Sequence, residues 1–338
     1  MHKQKNLQMN RQQPLSDRFG RQIRYLRLSV TDRCDLRCTY CMPNGFADFA
    51  EPEAWLSAGE LERIVTGFAR LGVSHLRLTG GEPLVRRGIV ELARRLAAIP
   101  GIDDLSISTN GVRLAGLAEP LAKAGVRRVN VSLDSLDPAT YREITGGGKL
   151  DKVLRGLAAA KAAGIAPVKL NTVVMRGVND AEIEDILAFA INGDFTLRLI
   201  ETMPIGATGQ DALERFVDLE TIRKRLASRY RLMPDILPGA GPARYYRVAG
   251  SKAHIGFITP MSQHFCETCN RVRLTVEGDL FACLGDEHRY PLRDLLRAGC
   301  SDGELSSHLR KAIALKPERH EFNEQPARVV RFMSMTGG

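Results

Sequence analysis

Two groups of three cysteines set the chemistry open to this chain. CDLRCTYC, Cys34 to Cys41, spaces its thiols as C-x3-C-x2-C; Cys266, Cys269 and Cys283 follow a C-x2-C-x13-C pattern, and Cys300 stands apart. Structural zinc takes four protein ligands in a tetrahedron, so three thiolates without a near fourth Cys or His suit it poorly. A four-iron cluster takes one ligand per iron, and three thiolates leave one iron open to another molecule. The odd total of seven cysteines, with no secretory leader expected, argues against a disulfide framework and for metal or redox work. On spacing alone the second group also fits a zinc ribbon completed by Cys300, His264 or His254, although Cys300 lies in the helix-like LLRAGC and reads better as a packing thiol.

Cations form the second chemical signal. Arg27, Arg77, Lys169 and Arg198 each fall inside a strand-like run. A cation facing the inside of a barrel is costly unless an anion meets it, and guanidinium forks match phosphate oxygens. The net charge of +9 and a pI near 9.3 likewise favour an anionic partner. Lys3, Lys5, Arg11, Arg18, Arg21 and Arg24 against Asp17 make the N-terminal arm basic, best read as solvated up to about Pro14. A nucleic-acid surface fits less well, because Trp55 is the single tryptophan and no aromatic-interleaved basic stripe occurs. TGGGK, Thr145 to Lys149, imitates a phosphate loop but fails the Walker pattern: Glu143 replaces glycine and Leu150 replaces Ser/Thr.

These residues need a frame, and the chain supplies six strand-like runs: RYLRLSV, HLRLTG, LSISTN, RRVNVSL, PVKLNTVVM and TLRLIETM. Helical stretches separate them. In LSAGELERIVTGFARLG, Ser57 and Glu60 form a capping box and Gly72 closes the helix; GIVELARRLAAIP, LAGLAEPLAKAG, DKVLRGLAAAKAAG and AEIEDILAFAIN follow. Such alternation predicts a parallel sheet, doubly wound or barrel-like, with ligands at the carboxyl ends of the strands. There lie the Cys34 group, the Gly80–Pro83 turn, Ser108–Gly111, Ser132–Asp134, Lys169–Asn171 and Glu201–Met203. Past residue 205, DLETIRKRLASRYRL reads as one amphipathic helix, and RLTVEGDLFACL as a hairpin turning at Glu277-Gly278-Asp279. A composition of 44% hydrophobic and 26% charged residues is that of a globular chain, and no apolar run approaches the roughly 18–20 residues of a membrane span. A cytoplasmic protein without membrane or nucleic-acid partners is expected.

The cysteine triplet with Tyr40 before its last member, joined by GGEPL at Gly80 to Leu84, resembles the radical S-adenosylmethionine superfamily. Within it, GRQIRYLRLSVTDRCDLRCTYCMP, LRLTGGEPLVRR, ISTNG, RVNVSLDSLD, VKLNTVVMRGVND, LRLIETMPIG, FITPMSQHFCETCNRVRLTVEGDLFACL and the terminal Gly337-Gly338 resemble, in order, the GTP 3′,8-cyclases of molybdenum cofactor biosynthesis. The likeness runs from about Phe19 to the C-terminus. It implies an incomplete (β/α)6 barrel, residues 19–205, preceded by a flexible basic arm, 1–18. A C-terminal region, 206–338, would cover the open side. It also implies abstraction of hydrogen from C3′ of the GTP ribose, addition of that carbon to guanine C8, and reduction with protonation of the cyclised base.

By motif position, the resemblance implies that Cys34, Cys38 and Cys41 hold one four-iron cluster and Cys266, Cys269 and Cys283 a second whose open iron binds guanine. Tyr40, Gly81, Ser132 and Met203 would meet S-adenosylmethionine, and Arg27, Arg77, Ser108, Lys169, Arg271, Val272 and Arg273 would meet GTP. The first cysteines with Arg271 and Arg273 would be catalytic. Ser108 stands where relatives carry threonine, and SMTGG lacks the aromatic and branched residues common before that tail. Implied partners are a flavodoxin- or ferredoxin-type electron donor, a second copy in a homodimer, and cyclic pyranopterin monophosphate synthase downstream. The competing readings are a radical enzyme with an auxiliary cluster acting on another substrate, such as a peptide, and a basic zinc-ribbon protein binding nucleic acid.

Overall fold

The six runs become strands: β1 (Tyr25–Ser29), β2 (His75–Thr79), β3 (Asp104–Thr109), β4 (Arg128–Ser132), β5 (Val168–Val174) and β6 (Thr196–Glu201). Each pairs in parallel with the next. The computed structural model describes residues 14–42, 51–206, 208–237, 239 and 241–337; Lys3, Lys5, Arg11 and the last glycine of the tail, Gly338, lie outside them. The crossovers are α1 (Ala58–Arg70), α2 (Ile89–Ala97), α3 (Leu114–Lys123), α4 (Pro138–Ile144) with α5 (Leu150–Ala162), and α6 (Ile183–Asn192). Ser57 and Glu60 form the expected reciprocal cap on α1, and Gly72 follows the helix with φ of +94°.

Beyond β6 come α7 (Thr208–Glu214), α8 (Leu219–Ala227), β7 (Leu232–Asp235), β8 (Arg244–Val248), β9 (His254–Ile258), β10 (Arg271–Leu274), β11 (Asp279–Phe281) and β12 (Arg289–Pro291). Helices α9 (Arg293–Arg297), α10 (Asp302–Ala314) and α11 (Met333–Thr336) complete the chain. The twelve strands of the described residues form one sheet, in the order β12-β11-β10-β1-β2-β3-β4-β5-β6-β9-β8-β7. The C-terminal region thus extends the parallel sheet at both edges: β9 runs parallel to β6 and β10 parallel to β1. Among the described residues β9 and β10 are not paired with each other, and the barrel stays open.

Strand alternation divides the sheet into an apolar outside and a polar inside. Leu26 and Leu28 of β1, Leu76 and Leu78 of β2, and Val272 and Leu274 of β10 join the main hydrophobic core beneath the helices. Arg27, Arg77, Arg271 and Arg273 face the interior cavity instead. A smaller core of Ile205, Phe322, Val329 and Met333 packs with Cys41, Met203 and Leu284, binding the C-terminal tail to both cysteine regions.

Two expectations need correction. The arm joins the fold from Pro14, not Phe19: Leu15 is buried, its amide donating to Leu71 O at 3.0 Å, and Asp17 pairs with Arg21 at 2.5 Å. The helix read through DLETIRKRLASRYRL stops at Ala227, because Leu232 begins an edge strand paired with β8; local periodicity does not reveal that pairing.

Candidate active site

The first cysteine group sits on the loop leaving β1, zipped to the turn leaving β2. Gly81 N donates to Thr31 O at 2.9 Å and Glu82 N to Arg33 O at 2.7 Å. The approach is close enough that only glycine fits: a Cβ on Gly80 would lie 2.1 Å from Thr31 O, and one on Gly81 2.2 Å from Arg33 O. From the other side TGGGK supports the same loop, Arg37 N and Thr39 N donating to Thr145 O and Ile144 O, both at 2.9 Å. Gly81→Ala is therefore expected to push the two segments apart, cost about 1–3 kcal/mol or more from overpacking, and lower the iron bound at Cys34, Cys38 and Cys41. Thermal melting and iron content check this; wild-type values for both would refute it.

Cys34, Cys38 and Cys41 face one cavity with Tyr40, Gly81, Glu82, Ser108, Asn110, Ser132, Asp134 and Met203. Burial pushes the Cys34 and Cys41 thiols up to about 12, and Cys38 also rises, from burial and then the neighbouring thiols and Asp134. Coordination to iron would remove that proton, since a bound metal is the largest local charge. Two carboxylates frame the cavity. Asp134 accepts from Tyr40 Oη at 2.7 Å and Val173 N at 2.8 Å, and burial raises it to about 6. Glu82 accepts from Leu84 N, Thr109 Oγ1 and Asn110 N at 2.6 to 2.9 Å, yet burial carries it to about 7.

A second cavity adjoins the first, with Asn171, Ile200 and Met203 lining both. Cys266, Cys269 and Cys283 line it together with Arg27, Arg77, Arg198, Arg271 and Arg273. Across β2, β1 and β10, Arg77, Arg27 and Arg273 lie directly side by side. Like charges so placed repel. Burial, then Arg273 and Arg77, drives Arg27 well below its usual range, and burial with Arg271 brings Arg273 down to about 10. The Nε atoms of Arg27, Arg271 and Arg273 are buried without hydrogen-bond partners. Such a row suits a polyanion, whose oxygens would pair these buried donors. At Cys269, burial, which acts upward, is outweighed by Arg271 and Lys316, and the thiol falls to about 6.

The structure groups the expected residues more finely than the sequence does. Ser108, expected with the cations, lines the first cavity, its hydroxyl buried without a partner. Lys169 lies in a third cavity with Arg128 and Tyr245, which Arg77 and Arg198 also line. Val272 packs in the core, because strand alternation turns it away from the arginines flanking it; only its main chain can meet a ligand. Glu82, Asp134 and Asn171 fall in the strand-end segments expected to gather ligands, but the sequence assigns them no role. The first two stand within the GGEP and NVSLD motifs and Asn171 within VKLN; that Asn171 lines both cavities is visible only in the fold.

Lys169, 3.3 Å from Tyr245 Oη, is brought down to about 7 by burial and then Arg198. An arriving polyanion would restore its proton. Binding of a polyanion there should therefore take up protons at a pH between about 7 and the ordinary 10.5, and Lys169→Met should take up fewer. Calorimetry in buffers of differing ionisation enthalpy reads this; equal uptake by both proteins would contradict it.

Among the described residues, no three His, Cys, Asp or Glu side chains converge where one metal ion could sit. Cys300 is buried in the main core with Arg63 donating to its carbonyl, His254 pairs with Asp235 at 2.8 Å, and His264 is 3.3 Å from Glu267. A single zinc ion thus finds no completed ligand set there. Three thiols facing a cavity without converging on a point fit a polynuclear cluster that takes one thiolate per iron.

The Radical SAM superfamily model matches residues 28–190, and the Molybdenum Cofactor Synthesis C model residues 195–322. The chain is 49% identical over 328 residues to a GTP 3′,8-cyclase of Pseudomonas savastanoi pv. phaseolicola, covering 96% of this chain and 98% of the relative. It is 47% identical over 330 residues to a GTP 3′,8-cyclase of Erythrobacter litoralis, with the same coverages. Among solved structures, Streptococcus suis SuiB bound to S-adenosylmethionine aligns with a TM-score of 0.59 at 18% identity, over 88% of this chain and 68% of that one; this likeness shows the fold alone.

Proposed function

The chain belongs to the GTP 3′,8-cyclase family, and on that premise we propose that it joins C3′ of the GTP ribose to C8 of guanine. The product is 3′,8-cyclo-7,8-dihydroguanosine 5′-triphosphate, for molybdenum cofactor biosynthesis. The observation that carries the reading is the adjoining pair of cavities, each opened on by three free cysteines, one of them lined by the row Arg77, Arg27 and Arg273. When bound, the cluster at Cys34, Cys38 and Cys41 with S-adenosylmethionine supplies a hydrogen-abstracting 5′-deoxyadenosyl radical, and the cluster at Cys266, Cys269 and Cys283 supplies an open iron for guanine.

The chain's own residues bind, orient and shield. Gly81 admits S-adenosylmethionine against backbone, Tyr40 is held by Asp134, and Ser132 and Met203 complete that cavity. Arg27, Arg77, Arg271 and Arg273 grip the triphosphate, with Lys169 and Arg198 beside them, while Ser108 offers its free hydroxyl where the ribose crosses between the cavities. No Walker loop is needed, because the reacting parts are ribose and base. Gly337 packs on Thr79, which lines the first cavity, so closely that a Cβ would lie 2.2 Å from Thr79 Cγ2, and the tail would close that site. Such closure keeps water from a primary carbon radical. Two single electrons, from a flavodoxin- or ferredoxin-type donor, and one proton balance the reaction. Cytoplasmic placement, a homodimer and hand-over to cyclic pyranopterin monophosphate synthase complete the proposal.

The test is anaerobic purification with assay of iron, sulfide and zinc, then addition of reductant, S-adenosylmethionine and GTP. About eight irons, and 5′-deoxyadenosine formed only with GTP, are expected. Stoichiometric zinc without sulfide would overturn the proposal.

A further inference from the structure

Lys316, just past α10, is a buried cation with 2% exposure, and its ammonium donates to the Arg271 carbonyl at 3.0 Å and the Ala282 carbonyl at 2.5 Å. These carbonyls lie at the open end of the β10–β11 hairpin, where the chain arrives from Cys269 and departs through Cys283. Two other buried cations hold neighbouring backbone. Arg21 donates to Cys266 O at 2.8 Å, and Arg331 to Leu284 O and to Asp286 O, the latter at 2.8 Å. Each cysteine of the second group thus has, on itself or within two residues, a carbonyl gripped by a side chain from a remote segment.

The three differ in charge balance. Arg21 is neutralised by Asp17 at 2.5 Å and Arg331 by Glu287 at 3.0 Å, whereas no ion pair joins Lys316 to a carboxylate among the described residues. Burying an ammonium is unfavourable unless something anionic repays it, and two carbonyl dipoles do so only in part. The carbonyls it grips stand two residues past Cys269 and immediately before Cys283, so the anionic partner this geometry offers is a centre held by those thiols. Arg271 and Arg273 add positive charge on the same side.

We propose that Lys316 is a positioning residue of the second cysteine group: it sets the separation of Cys269 and Cys283 by tying β10 to the end of β11, and its uncompensated charge raises the reduction potential of the cluster held there. This rests on the two-cluster reading above. The redox step is one electron entering that cluster from the donor already named, with no bond made or broken; the ammonium favours the more negative, reduced state.

The experiment uses the full chain carrying Cys34→Ala, Cys38→Ala and Cys41→Ala, so that the second cluster alone is read, by iron assay and a redox titration followed by electron paramagnetic resonance. Lys316→Gln, which keeps a donor and loses the charge, should hold its iron and shift the midpoint to more negative potential. Lys316→Met should shift it likewise and also lose iron, while Lys316→Arg should return towards the parent. If Lys316→Met does not fold, the Gln and Arg variants still decide. An iron-loaded parent whose Gln variant keeps both midpoint and iron overturns the role of Lys316 alone; a parent with zinc or no cluster overturns the two-cluster reading, and this inference with it.

Discussion

Cys38→Ala is expected to leave a folded chain with about half its iron and no formation of 5′-deoxyadenosine. Cys38 is the middle cysteine of its group, and its loop is pinned on one side by the β2 turn and on the other by the Thr145 loop. The fold therefore has the means to survive loss of one thiol, while two thiolates leave a four-iron cluster with two unsupported irons. The second group, built by β10, β11 and the C-terminal tail, shares no ligand with the first and should keep its own cluster. Iron assay, circular dichroism and chromatography of the nucleoside products check this. Wild-type deoxyadenosine formation by the variant would remove the first cluster from the account.

Arg27→Gln should nearly abolish GTP binding and cyclisation while both clusters assemble. Truncating one partner of a buried charged pair costs about 2–5 kcal/mol, roughly 30- to 5000-fold in affinity. Arg27 occupies the middle of the arginine row, in register with Arg77 and Arg273. Without an anion it is a destabilising group, so the ligand-free variant should melt no lower than the parent. Arg271→Ala and Arg273→Ala should likewise lose cyclisation with iron intact. Unchanged turnover in these variants, or a large fall in ligand-free stability of Arg27→Gln, would show that the row is structural.

Much of this was legible in the sequence because its signals are local. The six strands announced themselves as short apolar runs, the capping box of α1 lay within four residues, and both cysteine groups were visible by spacing. What depended on pairing was not legible. Nothing in RYLRL, HLRLT or NRVRL says that Arg27, Arg77 and Arg273 fall at one level, since register is set by the sheet. Ser108 reads like any strand-end hydroxyl until β3 is seen to carry it into the first cavity. Lys316 stands in LKPER, where a lysine next to Pro317, Glu318 and Arg319 looks solvated; only the return of the chain past α10 buries it. Residues 15–18 read as part of a flexible arm because the partner that anchors Leu15, Leu71, lies at the far end of α1, and the Asp17–Arg21 pair counts only once that contact is made.

The central claim is that a radical raised at the first cysteine group acts on a nucleotide held by the second. Supplying GTP carrying deuterium at C3′, with S-adenosylmethionine and reductant under anaerobic conditions, tests it most directly. The account predicts one deuterium in the 5′-deoxyadenosine, appearing together with the cyclised triphosphate and lost in Arg27→Gln. Unlabelled 5′-deoxyadenosine accompanying the cyclised product, or labelled 5′-deoxyadenosine formed undiminished by Arg27→Gln, would contradict it.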